Sequence, residues 1–208
     1  MALKGYRTKF LRDRVAQEAA MLLYTSQEKE YKQAKKRAAE TLGVRIIPSN
    51  FEVAVELDRI AEEREGTQRR ELVLRMRREA KEVMHVLEAF SPLLVGSVWR
   101  GTVHKNSDID IYTFSESHVP VIEKLQVHNY EIKRAEWRSV TKAGKKESSF
   151  HVHFYLSSGD GVEVVVRSPE CIGQQERCET YGDVNVGLNL KQLTEILDDN
   201  PLQKFMPI

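Results

Sequence analysis

LLVGSVWRGTVHKNSDIDIYTF, residues 93–114, sets two aspartates, Asp108 and Asp110, one residue apart inside an apolar run. In an extended segment residues two apart share a face, so Asp108 and Asp110 project together while Ile109 and Ile111 point the other way. Their Cα atoms then lie about 6.6 to 6.8 Å apart. Carboxylates at that spacing repel unless a cation sits between them. A divalent ion supplies that partner, and Mg²⁺ (or Mn²⁺) favours carboxylate oxygens combined with substrate phosphates. Upstream, Gly96 and Ser97 follow the short apolar strand Leu93–Val95 and open a segment with room for a helical turn before Gly101 and Thr102. Glycine lets backbone approach a ligand, serine offers a hydroxyl, and N–H groups at a helix start bind anions. Arg100 and Lys105 add positive charge. A phosphate cradle beside a carboxylate pair calls for a nucleoside triphosphate.

The rest of the chain sets limits on that reading. Its 208 residues carry 32 Lys plus Arg against 31 Asp plus Glu, so no global basic excess announces a nucleic-acid binder and any polyanion site must be local. Two cysteines, Cys171 and Cys178, fit neither a disulfide framework nor a four-ligand zinc site and read as reduced thiols. No apolar run reaches the roughly 20 residues of a membrane span. The opening MALKGYRTKFLRDR lacks the apolar core of a secretory signal. A cytoplasmic protein is the expectation.

Two regions follow from the patterning, with a boundary near residue 90. Residues 1–90 are rich in strong helix formers, and apolar residues recur at three- and four-residue steps, as in Leu72, Met76, Val83 and Leu87. Gly43 reads as a helix stop, and Pro48-Ser49-Asn50 as a start, with Glu52 placed for a capping box on Ser49. Two charged runs, one around Lys32–Arg37 and one at Arg69, Arg70, Arg75, Arg77 and Arg78, are interspersed with glutamates. Such mixing predicts solvated helix faces with i,i+4 pairs rather than an RNA-facing surface.

Residues 91–208 carry strand signals in LLVGS, DIDIYTF, NYEIKRAEWRSV, SFHVHFYLSS and GVEVVVRS. The turn cluster Ser157–Gly161 predicts an antiparallel hairpin between FHVHFYL and VEVVVR. A helix is expected in HVPVIEKLQ, and another in LNLKQLTEILDDNPLQKF, ending near Pro201.

Gly96-Ser97, then ten residues, then Asp108-Ile109-Asp110 resembles the signature of the polymerase-β-type nucleotidyltransferases, and the GS…GT…SDIDI form is most similar to the minimal prokaryotic nucleotidyltransferase domains. The signature covers residues 93–114, and the strand pattern extends the resemblance to about 168. The resemblance implies an α+β fold in which a mixed sheet is backed by helices, here with an N-terminal helical region. It implies transfer of a nucleoside monophosphate from an NTP to an acceptor by a two-metal mechanism, with Asp108 and Asp110 as catalytic metal ligands. Gly96 and Ser97 would hold the triphosphate, with Arg100, Thr102 and Ser107 nearby. The family also needs a third carboxylate on a later strand, and Glu163, set in the apolar run Gly161–Val165, matches best. Many relatives carry aspartate there, and Glu131 or Glu136 are the alternatives.

Other residues have competing readings. His151 and His153 share a strand face and can line the site, bind a transition metal or face solvent. Arg167, on the face of Glu163, can meet a triphosphate or pair with an acid, while Trp99 reads as packing. The acceptor stays open among RNA, protein and small molecules. Two other functions compete: an antitoxin-type regulatory nucleotidyltransferase acting on a partner protein, and a non-catalytic nucleotide-binding module. A Glu163 carboxylate turned away from the aspartates would favour the last.

Overall fold

The computed structural model describes residues 2–142 and 145–207. Three helices come first: α1 (Ala2–Tyr24), α2 (Tyr31–Thr41) and α3 (Asn50–Val86). Then follow β1 (Leu93–Val95), α4 (Gly96–Arg100), β2 (Ile109–Phe114), α5 (Val119–Val127), β3 (Ile132–Lys142), β4 (Lys145–Tyr155), β5 (Gly161–Arg167), β6 (Leu188–Asn189) and α6 (Leu190–Asp199). The six strands form one sheet in the order β3-β4-β5-β2-β1-β6. Only β2 and β5 run parallel, so the sheet is mixed and the fold is α+β. The expected hairpin is β4 and β5, antiparallel with His153 opposite Glu163.

Alternation decides what each face of the sheet meets. In β2 every second residue, Ile109, Ile111 and Thr113, is fully buried, whereas Asp110, Tyr112 and Phe114 are partly open. The buried face continues through Val152, Phe154, Val162, Val164 and Val166 and packs with Met76, Ala80, Val83 and Met84 of α3 and with Leu125 of α5. The open face carries the carboxylates.

The helical region has a second apolar cluster, formed by α1, α2 and the first part of α3 up to Ala61. The helix joins both clusters. It is kinked at Gly66, whose φ of 50° and ψ of −119° are reached without penalty only by a residue lacking Cβ. α3 thus contributes to both apolar clusters, with the Gly66 kink between its two contributions. The capping box at Ser49 and Glu52 forms as the spacing requires, with Ser49 Oγ accepting from Glu52 N–H at 3.1 Å.

The solvated-face expectation for the second basic run fails for Arg69 and Arg77. Both are fully buried. Arg69 spans the kink, donating to the Asp58 carboxylate, to Glu62 Oε2 at 2.8 Å and to the Val103 carbonyl at 2.7 Å. Arg77 donates to four carbonyls: Val98 at 3.1 Å, Trp99 at 2.8 Å, Pro201 at 2.7 Å and Gln203 at 2.8 Å. Charge mixing along a helix cannot reveal this, because the carbonyls come from chain segments far off in sequence. Among the described residues no helix is long and apolar enough to cross a membrane.

Candidate active site

Asp110 pairs laterally with Val95 on one side and with Glu163 on the other. Asp108 lies just before β2, and both aspartates therefore share the open face with Glu163. Two glycines make room for them. A Cβ on Gly96 would overlap Asp110 Oδ2, and one on Gly161 would overlap Asp108 Oδ1. Gly96 also has φ +70°, a conformation that other residues adopt only under strain.

The electrostatics of the pair suit a cation. Burial, then the charges of Glu163 and Asp108, push the Asp110 carboxyl up to about 8. Asp108 is raised for the same first two reasons, burial and Glu163, with His153 opposing. Neither aspartate has a hydrogen-bond or ion-pair partner among the described residues. Two partnerless carboxylates beside a third suit a hard divalent ion with phosphate oxygens completing its shell.

Glu163 is set up differently. Three groups converge on Oε1: His151 Nδ1 at 2.7 Å, Arg138 Nη1 at 3.0 Å and His153 Nε2 at 3.2 Å. Burial alone would raise its carboxyl, but the His151 hydrogen bond and the charges of His151, His153 and Arg138 outweigh it, and the net shift is downward. Oε2 makes no hydrogen bond among the described residues. Of the alternative acids, Glu136 is taken up by Arg134 and Arg138 at 2.6 and 2.7 Å, and Glu131 pairs with Lys133 at 2.6 Å, away from the aspartates' row.

Gly96 and Ser97 begin α4, whose N-cap Val95 makes no side-chain cap bond to its first N–H groups. At the other end of α4, Arg77 accounts for the carbonyls of Val98 and Trp99. Thr102 is nearly buried behind α4, its N–H bonded to the Ser97 carbonyl at 3.0 Å. Ser107 closes the turn before Asp108, its Oγ accepting from His104 N–H at 3.0 Å.

Arg100 is not free for a triphosphate. It is 2% exposed, pairs with Asp183 through both carboxylate oxygens at 2.7 and 3.1 Å and donates to the Phe205 carbonyl at 2.9 Å. Trp99 and Tyr181 each lie 4.3 Å from its guanidinium, and the buried Trp99 also stacks on Phe205. Arg100 thus anchors the C-terminal tail. Arg167 pairs with Glu176 and lies 5.0 Å over the Tyr112 ring rather than meeting Glu163. The residue that sequence reasoning missed is Arg138. It stands on β3, three strands from β2, and only the registers of β3 on β4 and of β4 on β5 bring it to Glu163.

A mixed sheet with aspartates at its central strand, a short helix opening with Gly-Ser beside them and a third acid on the neighbouring strand is consistent with a nucleotidyltransferase-type core. Residues 77–159 match the family model described as nucleotidyltransferase domain, a match consistent with the polymerase-β-type superfamily. The matched segment starts in α3 and includes Gly96, Ser97, Asp108 and Asp110, but it ends four residues before Glu163. No curated protein matches the chain significantly.

Proposed function

We propose that the protein is a metal-dependent nucleotidyltransferase that moves a nucleoside monophosphate from an NTP to an acceptor. The observation that carries this reading is the pair Asp108 and Asp110, without a partner among the described residues, desolvated against Gly96 and Gly161 beside the start of α4. Asp108 and Asp110 would hold Mg²⁺ or Mn²⁺, and Glu163 would complete the site on the acceptor side. The ions supply neutralisation of phosphate charge and alignment of the attacking and leaving oxygens.

The chain's own groups do the rest. N–H groups of Gly96, Ser97 and Val98 bind triphosphate oxygens, and the Ser97 hydroxyl can add a further bond. Arg77, by holding the far end of α4, keeps those N–H groups aimed at the site. The acceptor approaches from the side of β3, β4 and β5, where Glu163, His151, His153 and Arg138 lie. As the acceptor oxygen bonds to the α-phosphorus, the bond to pyrophosphate breaks in line.

Incubation with each of the four radiolabelled NTPs and Mg²⁺ or Mn²⁺ tests this. Transfer of label to RNA, to protein or to a small-molecule acceptor supports the reading and names the acceptor class. Label transfer undiminished in Asp108→Ala or Asp110→Ala would sink it. The lateral pairing of Glu163 with Asp110 supports turnover over a merely nucleotide-binding module.

A further inference from the structure

Besides the aspartate pair, the open face holds, among the described residues, one more group suited to a metal. His151 Nδ1 or Nε2, His153 Nδ1 or Nε2 and a Glu163 oxygen offer three ligand atoms that lie within 4.8 Å of one another. We infer that His151, His153 and Glu163 form a transition-metal site distinct from the Asp108–Asp110 pair, which takes a divalent ion with a preference for imidazole nitrogen, Zn²⁺ foremost.

The contacts of Arg138 support this. Its Nη1 donates to Glu163 Oε1 at 3.0 Å, and its Nη2 lies 3.1 Å from His153 Nε2. Glu163 Oε1 and His153 Nε2 are themselves 3.2 Å apart. Arg138 is thus the cation now held between these two metal-ligand atoms. Its side chain is 40% exposed, so it can swing out when a metal enters.

The spacing also fits. Bonds of about 2.0 to 2.1 Å in tetrahedral geometry separate ligand atoms by about 3.3 Å. The pairs at 2.7 and 3.2 Å need only open slightly. Ser149 Oγ lies 2.8 Å from His151 Nε2, an outer partner of the kind that fixes the ring and its tautomer. Two imidazoles and a carboxylate select transition metals over Mg²⁺, which prefers an all-oxygen shell. Because Oε2 of Glu163 makes no hydrogen bond among the described residues, one carboxylate can serve this ion through Oε1 and the aspartate side through Oε2.

The binding claim does not depend on nucleotidyl transfer, and its test is arranged accordingly. Zn²⁺ and Co²⁺ are titrated by calorimetry and cobalt absorption into the full chain and into the Asp108→Asn/Asp110→Asn variant, with excess Mg²⁺. The expected result is one equivalent bound in both, with a Kd at least tenfold weaker in His151→Ala and in His153→Ala, and tighter binding in Arg138→Met. Absence of binding overturns the proposal, as does a Co²⁺ signal lost with the aspartates or displaced by Mg²⁺. Should a histidine variant misfold, ¹⁵N spectra of the imidazoles in the wild type decide. Saturable shifts at His151 and His153 with one equivalent of Zn²⁺ support the site, and unchanged rings overturn it.

Discussion

Asp110 occupies a position where ionisation is costly, and the cost has a measurable sign. Its carboxyl titrates near 8 in the folded chain against an ordinary 3.8, so the native state binds a proton that the unfolded state has released. That mismatch lowers stability progressively as pH rises from about 4 to about 8. Asp110→Asn is therefore expected to raise the stability of the metal-free protein by about 2 kcal/mol or more at pH 8. The gain should vanish below about pH 4, as urea unfolding at the two pH values would show. The same variant should lower nucleotidyl transfer by about 100-fold or more, because the carboxylate that binds the cation is gone. Since the ion must expel that proton, Mg²⁺-dependent nucleotide binding should weaken from pH 8 to pH 6, a trend calorimetry can follow. Gly96→Ala places a methyl on Asp110 Oδ2 at a backbone φ of +70°. Nucleotide affinity should fall at least tenfold in that variant, while Gly159→Ala, which bears the same kind of backbone strain at φ +90° but has nothing within 4 Å of its Cβ, leaves binding unchanged.

Helix α4 is five residues long, too short to hold its orientation through its own hydrogen bonds. Arg77 does that from α3. It binds two carbonyls of α4 and two of the C-terminal tail, and burial lowers its pKa to about 10 with no carboxylate in contact among the described residues. Arg77→Met keeps the aliphatic bulk and orphans four carbonyls. A loss of about 3 kcal/mol in chemical denaturation is expected, together with weaker triphosphate binding. Arg77→Lys should recover little, because one ammonium cannot reach four acceptors set around a planar fork.

The helical N-terminus has a structural task at the site. The loop from α4 to Asp108 is held by Arg69 on the Val103 carbonyl, by Glu65 accepting from Lys105 N–H at 3.1 Å and by Asn106 donating to the Tyr24 carbonyl at 3.0 Å. Both apolar clusters thus support the segment that delivers the aspartates. Nucleotide binding at the site should stabilise the molecule as a unit. An NTP with Mg²⁺ at about 100 times its Kd should add about 2.7 kcal/mol. For a chain of this length that is a rise in Tm of about 5 to 10 °C. The rise should disappear in Asp108→Ala/Asp110→Ala, and a rise that persists there would place the nucleotide elsewhere.

Local chemistry made much of this legible in the residues alone. Alternation in β2 and the spacing of Asp108 and Asp110 put both acids on one face, since the strand period is two. Gly96-Ser97 marked the start of α4, and the turn at Ser157–Gly161 set β4 against β5, because turn residues and periodicity act within a few positions. What stayed illegible depends on pairing across the chain. The placement of Glu163 beside Asp110 needs the parallel register of β2 and β5. The gathering of His151, His153 and Arg138 on Glu163 needs three adjacent strands in register. The opposite fates of Arg77, which holds α4, and Arg100, locked onto Asp183, depend on where the tail returns. Neither register nor tail contact leaves a local mark, because the partners of these charges lie tens to more than a hundred residues away, and only burial in the folded chain selects them.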